Sequence, residues 1–117
     1  VSFAINDAVG AVLNTALDGL STRQQVIADN IANVDTPHYR ASAVDFEDAL
    51  KSAIAGGDPA SAAPSVTATD TPVGANGNNV DLRKETLAAV QSQFQYQVMT
   101  RAASDRFDLV RTVAQGR

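Results

Sequence analysis

The chain of 117 residues is 44% apolar but only 5% aromatic, has no Cys, no Trp and one His, and carries a formal net charge of −4. Its length sets a ceiling of one domain. The acidic balance argues against nucleic acid, whose phosphates call for a basic face, and the lack of Cys excludes disulfides, thiolate zinc sites and thiol nucleophiles.

No run reaches the ~18 apolar residues that cross a bilayer, so no direct membrane insertion is expected. The first twenty residues hold Asp7 and Asp18 and no Lys or Arg, so they do not read as a cleavable secretory signal.

The chain opens with a long helical pattern. Leu13, Leu20, Ile27 and Val34 recur every seven residues, Leu17 and Ile31 fill the four-residue step, and Gln24 is the polar member of the seam. Phe3, Ile5, Val9, Val12 and Val26 fall partly off that stripe, so the helix is apolar on more than one side. Gly10 and Gly19 cost about 1 kcal/mol each relative to Ala but allow close helix approach. The helix is expected from about Ser2 to Asn33, because Pro37 forces Thr36 out of helical geometry and Asn33 and Asp35 suit capping and turns.

Tyr39 to Val44 reads as an extended link. A second, shorter helix starts with Asp45 as N-cap and Asp48 in the first turn, shows Phe46, Ala49, Leu50 and Ile54 on one face, and ends at Gly56 and Gly57. Residues 56–79 hold few large apolar side chains and most of the prolines and glycines, too little to offset ordering entropy. They are expected to be flexible. A last helix is predicted from about Asp81 to Ala114. One face carries Leu87, Val90, Phe94, Val98, Ala102, Leu109 and Val113, and a second carries Tyr96, Met99, Ala103, Phe107, Val110 and Ala114.

The expected fold is all-α: two long terminal helices in an antiparallel coiled-coil hairpin, one short helix and a long flexible middle segment. Residues 1–36 and 80–117 form one discontinuous unit, and residues 37–55 hold the turn, link and short helix. Residues 1–55 have seven acidic and three basic groups, whereas residues 80–117 have four acidic and six basic. An isolated hairpin can bury only one face of each helix, so the second faces call for neighbouring subunits.

The chain is poor in chemistry. His38 reads as an exposed turn residue, because neither a nucleophile nor an orienting partner accompanies it. Asp45, Glu47 and Asp48 lack the spacing and glycine of a calcium loop. There is no phosphate-binding glycine loop, no nucleophile elbow and no metal-binding His pair. No enzyme activity, cofactor, metal or small-molecule substrate is expected. Asn30 and Asn33, near the end of the first helix, read as caps for its last carbonyls.

The run Ala28-Asp29-Asn30-Ile31-Ala32-Asn33-Val34-Asp35-Thr36-Pro37-His38-Tyr39 resembles the N-terminal signature A-x-N-I-A-N-x-x-T-P-G-Y of the bacterial flagellar rod and hook proteins. Leu17-Asp18-Gly19-Leu20-Ser21 resembles the lead-in to it. Val44-Asp45-Phe46-Glu47-Asp48-Ala49-Leu50, Asn79-Val80-Asp81-Leu82, Tyr96-Gln97 and Arg106-Phe107-Asp108-Leu109-Val110-Arg111 are similar to the proximal-rod branch of that family. His38 departs from the pattern, which has Gly there. A type II turn after Pro37 would want positive φ at that position.

The resemblance implies a structural subunit of the rod that crosses the periplasm, exported by the flagellar type III apparatus without a cleaved signal. Implied partners are copies of itself, the adaptor FliE, the rod protein FlgC, other rod proteins and the export gate. Leu13, Leu17, Leu20, Ile27, Ile31, Phe94, Val98, Phe107 and Val110 are expected to pack subunits. Asn30, Asn33, Thr36, Pro37 and Tyr39 are expected to form the signature turn. A free-standing coiled-coil adaptor or export chaperone is the alternative that the helical pattern leaves open.

Overall fold

Heptad spacing and the stop signal at Pro37 set the first element. The computed structural model describes residues 3–116 apart from the side chains of Phe3, Ala4 and Asn6, so the expected start at Ser2 and the Phe3 side chain lie outside the described residues. Helix α1 runs Phe3–Ala32. Its end is closed by Asn33, whose N–H and side-chain Nδ2 both donate to the Asp29 carbonyl, at 3.1 and 2.8 Å. A turn follows in which the Tyr39 N–H reaches the Thr36 carbonyl at 3.3 Å, with Pro37 and His38 at its centre. His38 has φ 64°, the left-handed value a type II turn asks of that position.

Strand β1 (Ser42–Asp45), helix α2 (Glu47–Ala55), a 3-10 turn (Pro59–Ser61) and strand β2 (Ser65–Ala68) come next, and helix α3 spans Leu82–Ala114. The strands pair antiparallel, with Ser42 opposite Ala68 and Val44 opposite Val66. The described chain is therefore mostly helical, with three helices, two of them long, and a small two-stranded ribbon that the all-α expectation lacks. The ribbon draws on the expected extended link and on the segment expected to be flexible. Its strands are four residues each, and β2 is exposed throughout, so neither has the apolar alternation that marks a strand in sequence.

The ribbon also displaces an expected cap. Asp45 pairs with Ser65 as the last residue of β1, and the N-cap position of α2 falls to Phe46, without a side-chain hydrogen bond. Glu47 and Asp48 occupy the first turn of α2, where acidic groups suit the helix dipole. Asp81 caps α3, its carboxylate accepting from the Lys84 N–H at 3.2 Å.

The long helices lie side by side in opposite directions. Gly10, Leu13 and Asn14 adjoin Ala103, Arg106, Phe107 and Val110, while Gln24, Ala28 and Ile31 adjoin Ala89 and Gln93. The molecule measures 64 × 27 × 14 Å. Ala16, Leu20, Val44 and Phe46 form the core, with Val26, Leu50 and Met99 packed against it. Gly19 serves close approach, though of Phe46 rather than of a helix: a Cβ at position 19 would overlap the Phe46 ring. The ring also meets the Arg23 guanidinium, 4.8 Å from its centroid.

Candidate assembly surface

Two arrangements converge on the long helices: a polar latch at one end, and an apolar face without cover along α3. The latch begins with Asn30, which is fully buried. Its Nδ2 donates to the Ser42 carbonyl at 2.7 Å, and its Oδ1 accepts from the Ser42 N–H and the Tyr39 hydroxyl, each at 3.1 Å. The Asn30 amide thus does what a third strand would do for the outer edge of β1. One heptad earlier, Arg23 covers the next outward group, donating to the Val44 carbonyl at 2.8 Å through a terminal nitrogen and at 3.3 Å through Nε.

Asn30 is therefore more than a cap for the end of α1. Asn33 does cap, and its Oδ1 accepts from the Thr36 hydroxyl at 3.0 Å. Thr36 and Pro37 are exposed, and Tyr39 is half-buried. Burial, reinforced by the Asp29 and Glu85 charges, raises the Tyr39 pKa.

Asn78 and Asn79 complete the latch from the loop before α3. Asn78 Nδ2 donates to the Asn33 and Thr36 carbonyls at 2.8 and 2.7 Å. Asn79 Oδ1 accepts from the Ala41 N–H at 2.6 Å. The His38 N–H donates to the Asn76 carbonyl at 3.0 Å, and the His38 ring occupies the space a Cβ on Gly77 would need. Sequence reading assigned no role to Arg23, Asn78 or Asn79. The signals for the asparagines are their place just ahead of Asp81 and, for Asn79, the resemblance of Asn79-Val80-Asp81-Leu82 to the proximal-rod branch.

On α1, Leu20 and Ile27 are buried and Leu13, Leu17 and Ile31 half-buried. Helix α3 behaves differently. Glu85, Ala88, Ala89, Ser92, Met99, Ala103 and Arg106 are its buried and half-buried positions, a seam of mostly small and polar groups recurring at helical spacing. The Ser92 hydroxyl is buried and has no hydrogen-bond partner among the described residues. Large apolar side chains point elsewhere: Leu87, Val90, Phe94, Val98, Leu109 and Val113 are exposed, Phe94 by 66% and Val113 by 67%. Phe107 and Val110 sit at the rim of the seam, and Phe107 is 69% exposed. Of the nine expected packing residues, Phe94 and Val98 lie exposed on α3, Phe107 and Val110 are exposed at the rim of the seam beside α1, and the five on α1 are buried or half-buried.

The charged groups support structure rather than chemistry. The Arg23 hydrogen bond, at 2.5 Å, is the first cause that holds the Glu47 carboxyl below its ordinary range. Among the described residues no three His, Asp or Glu side chains gather as a metal site, and no helix is long and apolar enough to cross a membrane.

Known proteins resemble the signature region and most of the chain. The family model described as flagella basal body rod protein matches residues 12–40. The flagellar basal body rod protein FlgB of Bacillus subtilis is 33% identical over 117 aligned residues, covering 89% of this chain and 91% of that protein. FlgB of Borreliella burgdorferi is 34% identical, covering 83% of this chain and 88% of its own length. FlgB of Escherichia coli is 31% identical, covering 86% and 88%. At 31–34% identity over 83–89% of its length, the chain belongs to the FlgB family of flagellar basal body rod proteins, a family of structural subunits and not of enzymes.

Proposed function

We propose that this rod subunit builds the proximal part of the rod, polymerising with copies of itself and with other axial proteins into a hollow periplasmic drive shaft. FliE, FlgC, other rod proteins and the export gate are the neighbours in this reading. Residues 1–36 and 80–117 act as one antiparallel coiled-coil unit, and residues 37–55 brace it. The observation that carries the reading is the inversion on α3, where the groups facing α1 are mostly small or polar and Leu87, Val90, Phe94, Val98, Leu109 and Val113 are exposed. Burying a side chain such as Phe or Leu contributes about 1.5–3 kcal/mol, so the outward row is a large driving force held in reserve for contacts between subunits. A head-to-tail contact of this kind repeats without closing and gives a helical tube.

Phe107→Asp tests the reading, because the side chain is exposed and the substitution spares the core. The variant is expected to keep wild-type helicity and to be absent from isolated basal bodies, leaving cells non-motile. Leu20→Asp also abolishes incorporation, but by unfolding, since Leu20 is buried. Normal swimming with Phe107→Asp would contradict the proposal.

A further inference from the structure

The outer face of α3 has a definite pattern. Leu87, Phe94 and Arg101 recur every seven residues and are all exposed, with Val90 between them and Arg83 one turn before Leu87. Neither Arg83 nor Arg101 forms an ion pair among the described residues. The face is thus an apolar strip with a cation at each end, about 27 Å apart at 1.5 Å per residue.

The chain carries a matching surface on α1. Asn14, Ser21 and Ala28 also recur every seven residues, are all exposed, and are small enough to receive large side chains. Asp18 and Asp29 flank them, exposed, and neither joins an ion pair among the described residues. Set the two helices antiparallel with Phe94 over Ser21. Leu87 then falls over Ala28 and Arg101 over Asn14, because both repeats are seven. The same register brings Arg101 within about one turn of Asp18, and Arg83 within about one turn of Asp29. Bulk meets small side chains and cation meets anion in a single alignment. Within one chain this pairing does not form: α3 turns its small seam to α1, and its outer face points away.

We propose that the outer face of α3 receives the Asn14–Ser21–Ala28 flank of α1 from a second copy of this chain. The inference rests on the rod reading and adds which copy covers the face, and with which residues. The contact is heterologous, since each copy offers α3 to one neighbour and α1 to another.

Charge reversal tests it in cells lacking their own copy of the gene. Arg101→Asp alone and Asp18→Arg alone are each expected to lower incorporation into isolated basal bodies at least tenfold. Co-expressing the two single variants is expected to restore incorporation to within about twofold of wild type. In alternating copies, the α3 face of the R101D chain meets the α1 flank of the D18R chain, and the unchanged Arg101 of the latter meets the unchanged Asp18 of the former. Restoration in trans cannot come from pairing inside one chain. The proposal is overturned if either single variant incorporates normally, or if co-expression does no better than either alone. Absence of the wild-type chain from basal bodies would instead sink the rod reading itself.

Discussion

The two ends of this molecule are held by different means. At the latch end, the turn, the ribbon and the loop before α3 close over α1 through directed hydrogen bonds from Asn30, Arg23, Asn78 and Asn79, with Phe46 seated on Gly19. At the far end, where the start of α1 meets the close of α3, no third layer exists among the described residues, and Ile5, Val9, Phe107, Leu109 and Val113 stand exposed. The first region is specified by its own chain. The second leaves its apolar side chains exposed. A subunit that must be both a defined object and part of a larger one can divide those tasks along its length.

If the latch end carries the chain's own stability, substitutions there should cost far more than substitutions at the bare end. Asn30→Leu is the most severe, since it leaves the Ser42 N–H and carbonyl and the Tyr39 hydroxyl without their partner. We expect a loss of about 3 kcal/mol, from roughly 1–3 kcal/mol per buried unpaired group, read by urea unfolding followed through Tyr fluorescence. Gly19→Ala drives a methyl into the Phe46 ring and should cost about 2 kcal/mol, within the range for overpacking. A neutral Gly19→Ala would mean that Phe46 is not seated as described.

His38→Gly should act in the opposite direction. Left-handed backbone at a non-glycine residue costs on the order of 1 kcal/mol, and part of that returns when Gly takes the position, less the added freedom of the unfolded chain. A gain of about 0.5 kcal/mol in thermal unfolding is expected.

The Arg23–Glu47 pair gives a pH signature. The folded carboxyl titrates below its unfolded value, so its contribution is complete above the ordinary carboxylate range of about pH 4–5 and is lost as pH falls through the lowered folded value. Glu47 is more than half exposed, and solvent screening limits the pair to about 0.5 kcal/mol at pH 7. Glu47→Gln should lose that amount at neutral pH and match wild type once the carboxyl is protonated. Smallest of all, Val113→Ser at the bare end should shift the stability of the free chain by less than about 0.5 kcal/mol, as exposed substitutions do.

The same division explains what the sequence made legible. The length of α1, its stop ahead of Pro37, the Asp81 start of α3 and the glycine end of α2 rest on local rules, and all of them stand in the structure, whereas the coiled-coil form of the hairpin is not confirmed by it. The ribbon does not rest on local rules. Its strands, SAVD and SVTA, are too short and too mixed to announce themselves, and they are fixed by side chains of α1 and by Asn79, which holds the backbone of Ala41 from 38 residues further on. The orientation of α3 was hidden for a related reason. Its largest residues mark a face that α1 does not cover, while the seam that α1 does cover is made of Ala, Ser, Met and charged side chains. Periodicity identified both faces of α3, and only packing could tell which one turned inward.

The central claim is that the outward row of α3 is a contact surface between subunits. It is tested most directly by placing single cysteines at Leu87, Phe94, Leu109 and Val113 and measuring maleimide labelling in the free chain and in isolated basal bodies. We predict rapid labelling of every position in the free chain and strong protection of each in the assembled rod. Equal labelling in both states would show that the row stays in solvent, and would contradict the account.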